Sequence, residues 1–391
     1  MDDCNKKMSE KETDIVIIGG GPGGATTALY LAKLGFDVTL IEKKKFPRET
    51  LCGEFLSKEV TDVLKELNIF SDFLSLNPNK LKKFVAVDES GIKLRSDLSF
   101  DAYAMKRSVF DLFLLEKAKA EKVTILQPYE ATNIIKSKSH YISEITDTNG
   151  KKDNIFSKLV IAAYGKQNSL DKKLGRSFIN KKSFLNGVKF HLPVGLLKEK
   201  FTDEIRIYTD DGLYCGMNQV NKSEITICFL ENRKQSRIPS RQRLAEVIKS
   251  NTHFQKIFSE EALNYLTTAT VYGTGNIYFN KKDVVENGII MLGDSARVIS
   301  PLAGDGIGMA MESAKLLQSI LTKYDLNDRD MIYEEYTKRF EKLFVKRLKT
   351  AKFIQGMILN NNIRKLGFTV VNKFPALLPY FIKFTRSHKM A

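Results

Sequence analysis

The sequence predicts an α/β chain, α+β overall, in which a parallel central sheet carries an inserted antiparallel β-sheet domain and ends in C-terminal helices. Three observations predict it. Short β-branched apolar runs at Asp14–Gly19 (DIVIIG), Lys158–Ala163 (KLVIAA) and Gly288–Leu292 (GIIML) read as strands buried on both faces. Residues from about 186 to 278 are largely β-like, with a helical stretch near 241–266. Beyond residue 331 the chain is helical and basic. With 391 residues and 43% hydrophobic content it can fill two cores. The expected division is a discontinuous first domain over 1–75, 100–175 and 275–330, a β-rich layer over 76–99 and 176–274, and a basic helical region over 331–391.

The elements follow in order. Behind the strand Asp14–Gly19 lies a glycine turn and an Ala- and Leu-rich helix from Pro22 to Leu34, stopped by Gly35. Asp37–Glu42 (DVTLIE) alternates as a second strand, completing a βαβ unit. Lys83–Val87 and Ile92–Arg95 read as strands around a turn, and Arg107–Lys119 as a helix with one apolar face. Val123–Leu126, Thr132–Lys136 and Tyr141–Thr146 are β, the last two antiparallel, and a helix is expected from about Gly306 to Leu321.

Gly19, Gly21 and Gly24 form G-x-G-x-x-G at the strand-to-helix turn, with Pro22 and Gly23 between them. The first glycine permits the tight turn, the second lets backbone approach a pyrophosphate, and the third lets helix pack on strand. The helix N-terminus then offers N–H groups and a positive dipole end to the diphosphate. Glu42, eighteen residues beyond Gly24, is placed to accept from an adenosine ribose. This much serves NAD as well as FAD. The second half of the pattern is Gly293–Asp294 after a buried strand, then Pro301 and Gly304–Asp305–Gly306–Ile307 opening a helix. Asp294 can hold a ribityl hydroxyl, and the N–H groups of the loop suit the electron-rich pyrimidine edge of a reduced flavin. A single cofactor reaching both ends of the chain is FAD, so the first domain is read as a Rossmann-like FAD-binding domain. With one dinucleotide fingerprint in the sequence, the electron source stays open among NADPH, NADH and a protein donor.

Taken together, the fingerprint, Phe46–Pro47–Arg48, Cys52–Gly53–Glu54, the Arg107, Phe110, Asp111, Leu114 helix and the Gly293–Ile307 segment resemble geranylgeranyl reductase-like and flavin-dependent halogenase-like proteins of the para-hydroxybenzoate hydroxylase superfamily. The resemblance spans roughly residues 14–320. It implies that Arg107 contacts FAD and that Cys52 sits near the isoalloxazine ring. Read by itself, Cys52 is equally a small buried hydrophobe. Arg48 is read either as a phosphate ligand or as a solvated side chain. Two departures matter. Tyr164–Gly165 stands where many relatives have Asp–Gly, and the chain has no tryptophan, which removes the halogenase signature and alters the prenyl reductase substrate motif around Tyr214–Gln219. Tyr214, Cys215 and Cys228 are expected on strands facing the flavin, with Tyr214 either orienting or protonating substrate or packing with its hydroxyl satisfied.

Other features bound the function. The four cysteines lack CxxC spacing and the four histidines lack ligand spacing, so neither a disulfide framework nor a metal site is expected. The segment MDDCNKKMSEKET is too polar for a secretory signal or anchor, and a cytoplasmic location is expected. Of a net charge of +16, residues 331–391 hold thirteen Lys or Arg against three Glu, with no acid after Glu341. Interleaved with phenylalanines and leucines, this region reads either as a surface for peripheral contact with an anionic membrane, at its inner face, or as a helical cap with a solvated basic side. Nucleic acid is not expected, because no recognition motif accompanies the charge. The partner expected is a small hydrophobic substrate. The resemblance implies an FAD-dependent oxidoreductase that reduces C=C bonds of a lipid-like compound, with hydroxylation of an aromatic or polyketide-like compound as the alternative. A non-redox enzyme of the same fold, or an escort protein for a lipidated partner, is a further reading.

Overall fold

The computed structural model describes residues 11–233, 238–275, 277–384 and Arg386. Its first segment runs β1 (Lys11–Ile18), α1 (Pro22–Lys33), β2 (Val38–Ile41), β3 (Phe55–Leu56), α2 (Lys58–Glu66) and α3 (Phe70–Ser75). There follow β4 (Asn79–Val87), β5 (Lys93–Ala104), α4 (Arg107–Ala120), β6 (Thr124–Leu126), β7 (Tyr129–Lys136), β8 (Tyr141–Asp147), β9 (Lys152–Ala162) and α5 (Ser169–Lys173). The middle of the chain supplies β10 (Leu185–Pro193), β11 (Glu204–Asp210), β12 (Leu213–Gln219), β13 (Glu224–Asn232), α6 (Ser240–Ser250), α7 (Thr252–Ile257), α8 (Glu260–Thr268) and β14 (Tyr272–Thr274). The last segment holds β15 (Val285–Glu286), β16 (Ile289–Met291), α9 (Gly306–Leu321), α10 (Arg329–Leu359), α11 (Asn361–Lys373) and α12 (Leu377–Phe384).

Two sheets result. The first has the order β15-β16-β9-β1-β2-β6, with β16, β9, β1, β2 and β6 parallel and the β7–β8 hairpin paired antiparallel onto β9. Ile15, Val16 and Ile17 have no exposed surface, because α1 and α9 close one face and the β7–β8 side of the domain the other. The second sheet, β14-β10-β13-β12-β11-β4-β5-β3, is antiparallel except where β11 meets β4. It is assembled from two separated stretches of chain, and β5 extends to Ala104 rather than ending at Arg95.

Register sorts the second sheet into two faces. Cross-strand rows place Gly187, Leu230 and Tyr214 together, then Lys189, Cys228 and Gly216, then His191, Thr226 and Asn218. This face meets residues 49–54, as Leu51 lies over Gly187 and Lys189 reaches Glu49. The other face, with Phe190, Ile227, Phe229 and Met217, packs on Val247, Phe254 and Leu266 of the helical layer. Cys215 lies on this helix-covered side, which corrects the expectation that it faces the flavin with Tyr214: adjacent residues of one strand point to opposite faces.

The C-terminal helices are anchored by the arginines that a purely solvated reading would leave in water. Arg347 is buried against Glu312 at 2.5 Å and Asp305 at 3.2 Å, and Arg364 pairs both oxygens of Glu89 at 2.7 and 3.1 Å and donates to the Asp210 carbonyl at 2.9 Å. Lys338, Lys342, Lys346, Lys349, Lys352, Lys365, Lys373 and Lys383 stay exposed. Among the described residues no helix is long and apolar enough to cross a membrane.

Candidate cofactor and substrate site

The turn after β1 is shaped by steric necessity. Gly19 has φ +108°, and a Cβ there would lie 2.5 Å from the Ala163 carbonyl oxygen. A Cβ at Gly24 would lie 1.9 Å from the Gly19 oxygen, and one at Gly23 would lie 2.6 Å from Leu292, so α1 sits directly on the turn and beside the strand end near residue 290. Gly21 differs. The nearest atoms to its Cβ position are Arg48 Nη2 at 3.7 Å and Arg107 Nη2 at 3.8 Å. Pro22 opens α1 without an N–H to lose, and no side chain caps the helix N-terminus. Two guanidinium groups and an uncapped helix end thus converge where a diphosphate fits.

Beside the turn, Glu42 accepts from the Gly20 N–H at 2.8 Å and the Lys44 N–H at 2.9 Å, which fixes its buried carboxylate. It lines a cleft of about 170 Å³ with Gly19, Lys43, Arg48, Tyr129 and Tyr164, suited to the adenosine half of FAD. Arg48 lies 3.5 Å from Glu42 and 3.4 Å from Asp111, and stacks on Phe46 at 4.6 Å, so it is packed rather than solvated. Arg107 forks onto both oxygens of fully buried Asp111 at 2.6 and 2.7 Å. Burial alone would lower its pKa, but the Asp111 charge raises it and keeps the guanidinium protonated.

The second end of the cofactor site stands at the same carboxyl edge of the parallel sheet, since β9 lies between β1 and β16. Gly293 turns at φ +61°, and Asp294 pairs with Lys166 at 3.4 Å. Pro301 starts a short turn that ends at Gly304, φ +60°, whose Cβ position is 3.0 Å from Phe55. Gly306 and Ile307 then open α9, again without a side-chain cap. Asp305 is braced from behind, by Arg347 and by the Ser57 hydroxyl at 3.3 Å, while Arg386 donates to the Ala303 carbonyl and lies 3.9 Å from Asp305. Burial, with Glu59 nearby, pushes the Asp305 carboxyl well above its ordinary pKa. Lys282 is buried a few ångströms away, donating to the Lys166 and Asp294 carbonyls at 3.0 and 3.2 Å and lying 4.1 Å from the Phe178 ring centre. Burial, then the Arg176 charge, lowers its pKa to about 8.

Between the two ends lies a charged network that the sequence reading did not pick out. Glu54, buried with φ +58°, accepts from the Arg107 N–H at 2.9 Å, Lys189 Nζ at 2.6 Å, His191 Nε2 at 2.7 Å and the Thr226 hydroxyl. Burial works to raise its pKa, but the His191 hydrogen bond and the Lys189 charge outweigh it and hold the carboxyl at about 2. Lys189 also donates to Glu49 at 2.8 Å and the Thr50 carbonyl at 3.1 Å. Glu49, Glu54 and His191 are close enough to hold a metal ion, but the Lys189 ammonium lies between the two glutamates and supplies the positive charge there. One signal was available in LNGVKFHLP, where Val188, Phe190 and Leu192 alternate with Lys189 and His191 on the opposite face.

Cys52 is half-buried, its sulfur accepting from the Glu54 N–H at 3.3 Å. Across from it, burial, then the Cys52 charge, pushes the Cys228 thiol up to about 12. Tyr214 is buried, and its hydroxyl donates to Gln355 Oε1 at 3.3 Å; the Ser300 hydroxyl donates to the same oxygen at 2.6 Å. Its polar end is satisfied within the protein, one residue from Pro301.

Residues 12–340 match the family described as FAD binding domain. A digeranylgeranylglycerophospholipid reductase of Thermoplasma acidophilum is 22% identical over 372 residues, covering 92% of this chain and 90% of that protein. The crystal structure of a geranylgeranyl bacteriochlorophyll reductase-like protein from the same organism superimposes with a TM-score of 0.73 at 20% identity, over 92% of this chain and 91% of that one. A flavin-dependent brominase superimposes with a TM-score of 0.75 at 17% identity, over 96% and 93%. At such identities the structural likeness shows a shared fold.

Proposed function

The chain belongs to the FAD binding domain family and is an FAD-dependent oxidoreductase; on that premise we propose that it reduces carbon–carbon double bonds of an apolar, lipid-like substrate. In this reading Gly19, Gly21, Pro22, Gly23 and Gly24 cradle the diphosphate, with Arg48 and Arg107 as its cationic partners and Glu42 on the ribose. Asp294 takes the ribityl chain, and Pro301, Gly304, Gly306 and Ile307 shape the loop at the flavin ring. Bound FAD, once reduced, supplies hydride.

The protein must supply the rest. Adding hydrogen across a double bond needs one proton for each hydride, delivered where water is excluded. The observation that carries the reading is the buried Glu54–Lys189–His191 network beside Cys52. Cys52, whose sulfur accepts from the Glu54 N–H at 3.3 Å, is in this reading the proton donor to the double bond. Behind it the ionised Glu54 carboxylate holds Lys189 and His191, and His191, whose side chain keeps 11% of its surface exposed, connects the network to solvent. Tyr214 orients the substrate from the platform.

Anaerobic incubation of the reduced holoenzyme with a polyprenyl lipid should give a product heavier by one hydrogen pair per double bond. Cys52→Ala should retain FAD and slow product formation by about 100-fold. A hydroxylated product that forms only with oxygen would replace this reading with a monooxygenase.

A further inference from the structure

The α11 helix carries two separate apolar stripes. Its inner stripe, Phe368 and Val371 with the Arg364 anchor, packs on Ala86 and Leu94 of the second sheet. Its outer stripe, Ile363, Leu366, Val370 and Phe374, is exposed, Leu366 to 66%. The same division continues in α12, where Leu378 is buried while Tyr380, Phe381 and Phe384 face outward. An outer stripe of this size, flanked by exposed Lys373 and Lys383 and by Lys365, which pairs with Glu89 at 3.6 Å, and with no acid in its own two helices, suits an apolar and anionic neighbour. A second copy packed through this face would bring two lysine-bearing surfaces together with no acid from either pair of helices between them.

At the foot of α11 opens a cavity of about 500 Å³ between α10 and the edge of the second sheet. Its walls include Phe184, Phe279 and Leu359, and exposed Lys182 and Lys352 mark its mouth. Gln355 lines it too, and the Gln355 amide oxygen is the one that accepts from Tyr214 and Ser300. The mouth adjoins Asn360, whose side chain caps α11.

We propose that the outer face of α11 and α12 seats on an anionic lipid bilayer, and that the cavity at its foot is the portal by which a bilayer-borne anionic amphiphile reaches the Tyr214 end of the substrate platform. The apolar chain enters past Phe184 and Phe279, and the anionic head meets Lys182 and Lys352. This rests on the reductase reading for its substrate, but its test needs no turnover.

Because the chain has no tryptophan, single reporters are clean. Trp placed at Leu366 or Phe374 of the full-length holoenzyme should shift to the blue and be quenched by brominated lipid in phosphatidylglycerol–phosphatidylcholine vesicles, whereas Trp at Ile135, on β7, should not respond. Leu366→Glu with Phe374→Glu should weaken vesicle binding by about tenfold or more with FAD content unchanged. Phe279→Trp, with Phe184→Trp as a second reporter, should be quenched saturably by a bromoalkyl phosphate. No blue shift with anionic vesicles, or a shift that accompanies self-association without lipid, overturns the bilayer face. Quenching at residue 366 with none at 279 and 184 overturns the portal. If vesicles bind and the portal fills but no reduced lipid forms, the reductase reading fails and this inference stands.

Discussion

At Glu54 the backbone enters the left-handed region and carries a carboxylate into a site with no exposed surface. The position is worth holding only because four donors meet it there. A carboxyl held at about 2 in the folded chain against an ordinary 4.5 stabilises the fold fully above pH 4.5, and that contribution disappears as pH falls toward 2. Glu54→Gln should therefore flatten the acid limb of the stability curve and, by removing one of the two carboxylates that pair with Lys189, cost about 1.5–3 kcal/mol near neutrality, both read by denaturant unfolding across pH. Lys282 has the opposite sign. Its folded pKa, near 8, lies below the ordinary 10.5, so the unfolded chain binds more protons between those values and stability should rise with pH there. Lys282→Met should remove that rise, measured as the thermal midpoint from pH 8 to 10.5.

Among the elements, the turn from β1 into α1 was fully legible, because three glycines at fixed spacing have a steric meaning that needs no distant partner. Gly24→Ala would drive a methyl into the Gly19 carbonyl, and FAD affinity should fall by about 100-fold or more, read by flavin fluorescence on titration. The loop opening α9 was legible as backbone but not in its support. Asp305 relies on Arg347, which enters from α10, and on Arg386 beyond α12, so the long basic region holds the loop that opens α9 as well as presenting lysines to solvent. Arg347→Met should destabilise the protein by about 3 kcal/mol by removing the guanidinium that pairs with buried Asp305 and Glu312, a loss that calorimetry of the holoenzyme checks.

Over the whole molecule, two sheets built from interleaved segments bring residues 49–54 against a face that begins at residue 185. The parallel sheet could be read from apolar runs, and the mixed layer from alternation. The Glu54–Lys189–His191 network was legible only in part: alternation in LNGVKFHLP puts Lys189 and His191 on one face, but Glu54 lies 135 residues from Lys189 and resembles an ordinary surface polar residue. Strand register creates it: Lys189, Cys228 and Gly216 share one row, while Cys215, one residue from Gly216, faces the helical layer. Tyr214 lies on β12 in one row with Leu230 and Gly187, and its hydroxyl is tied to Gln355 of α10, a partner that periodicity does not reveal.

The central claim is that reduced flavin in this site passes hydride to a double bond in a lipid. Stopped-flow spectra of the anaerobically reduced holoenzyme mixed with a polyprenyl lipid test it most directly. The oxidised flavin spectrum should return without oxygen, in step with formation of saturated product, and more slowly in Cys52→Ala. Flavin that stays reduced with the lipid and reoxidises only when oxygen enters, through an oxygen adduct that yields a hydroxylated lipid, would contradict it.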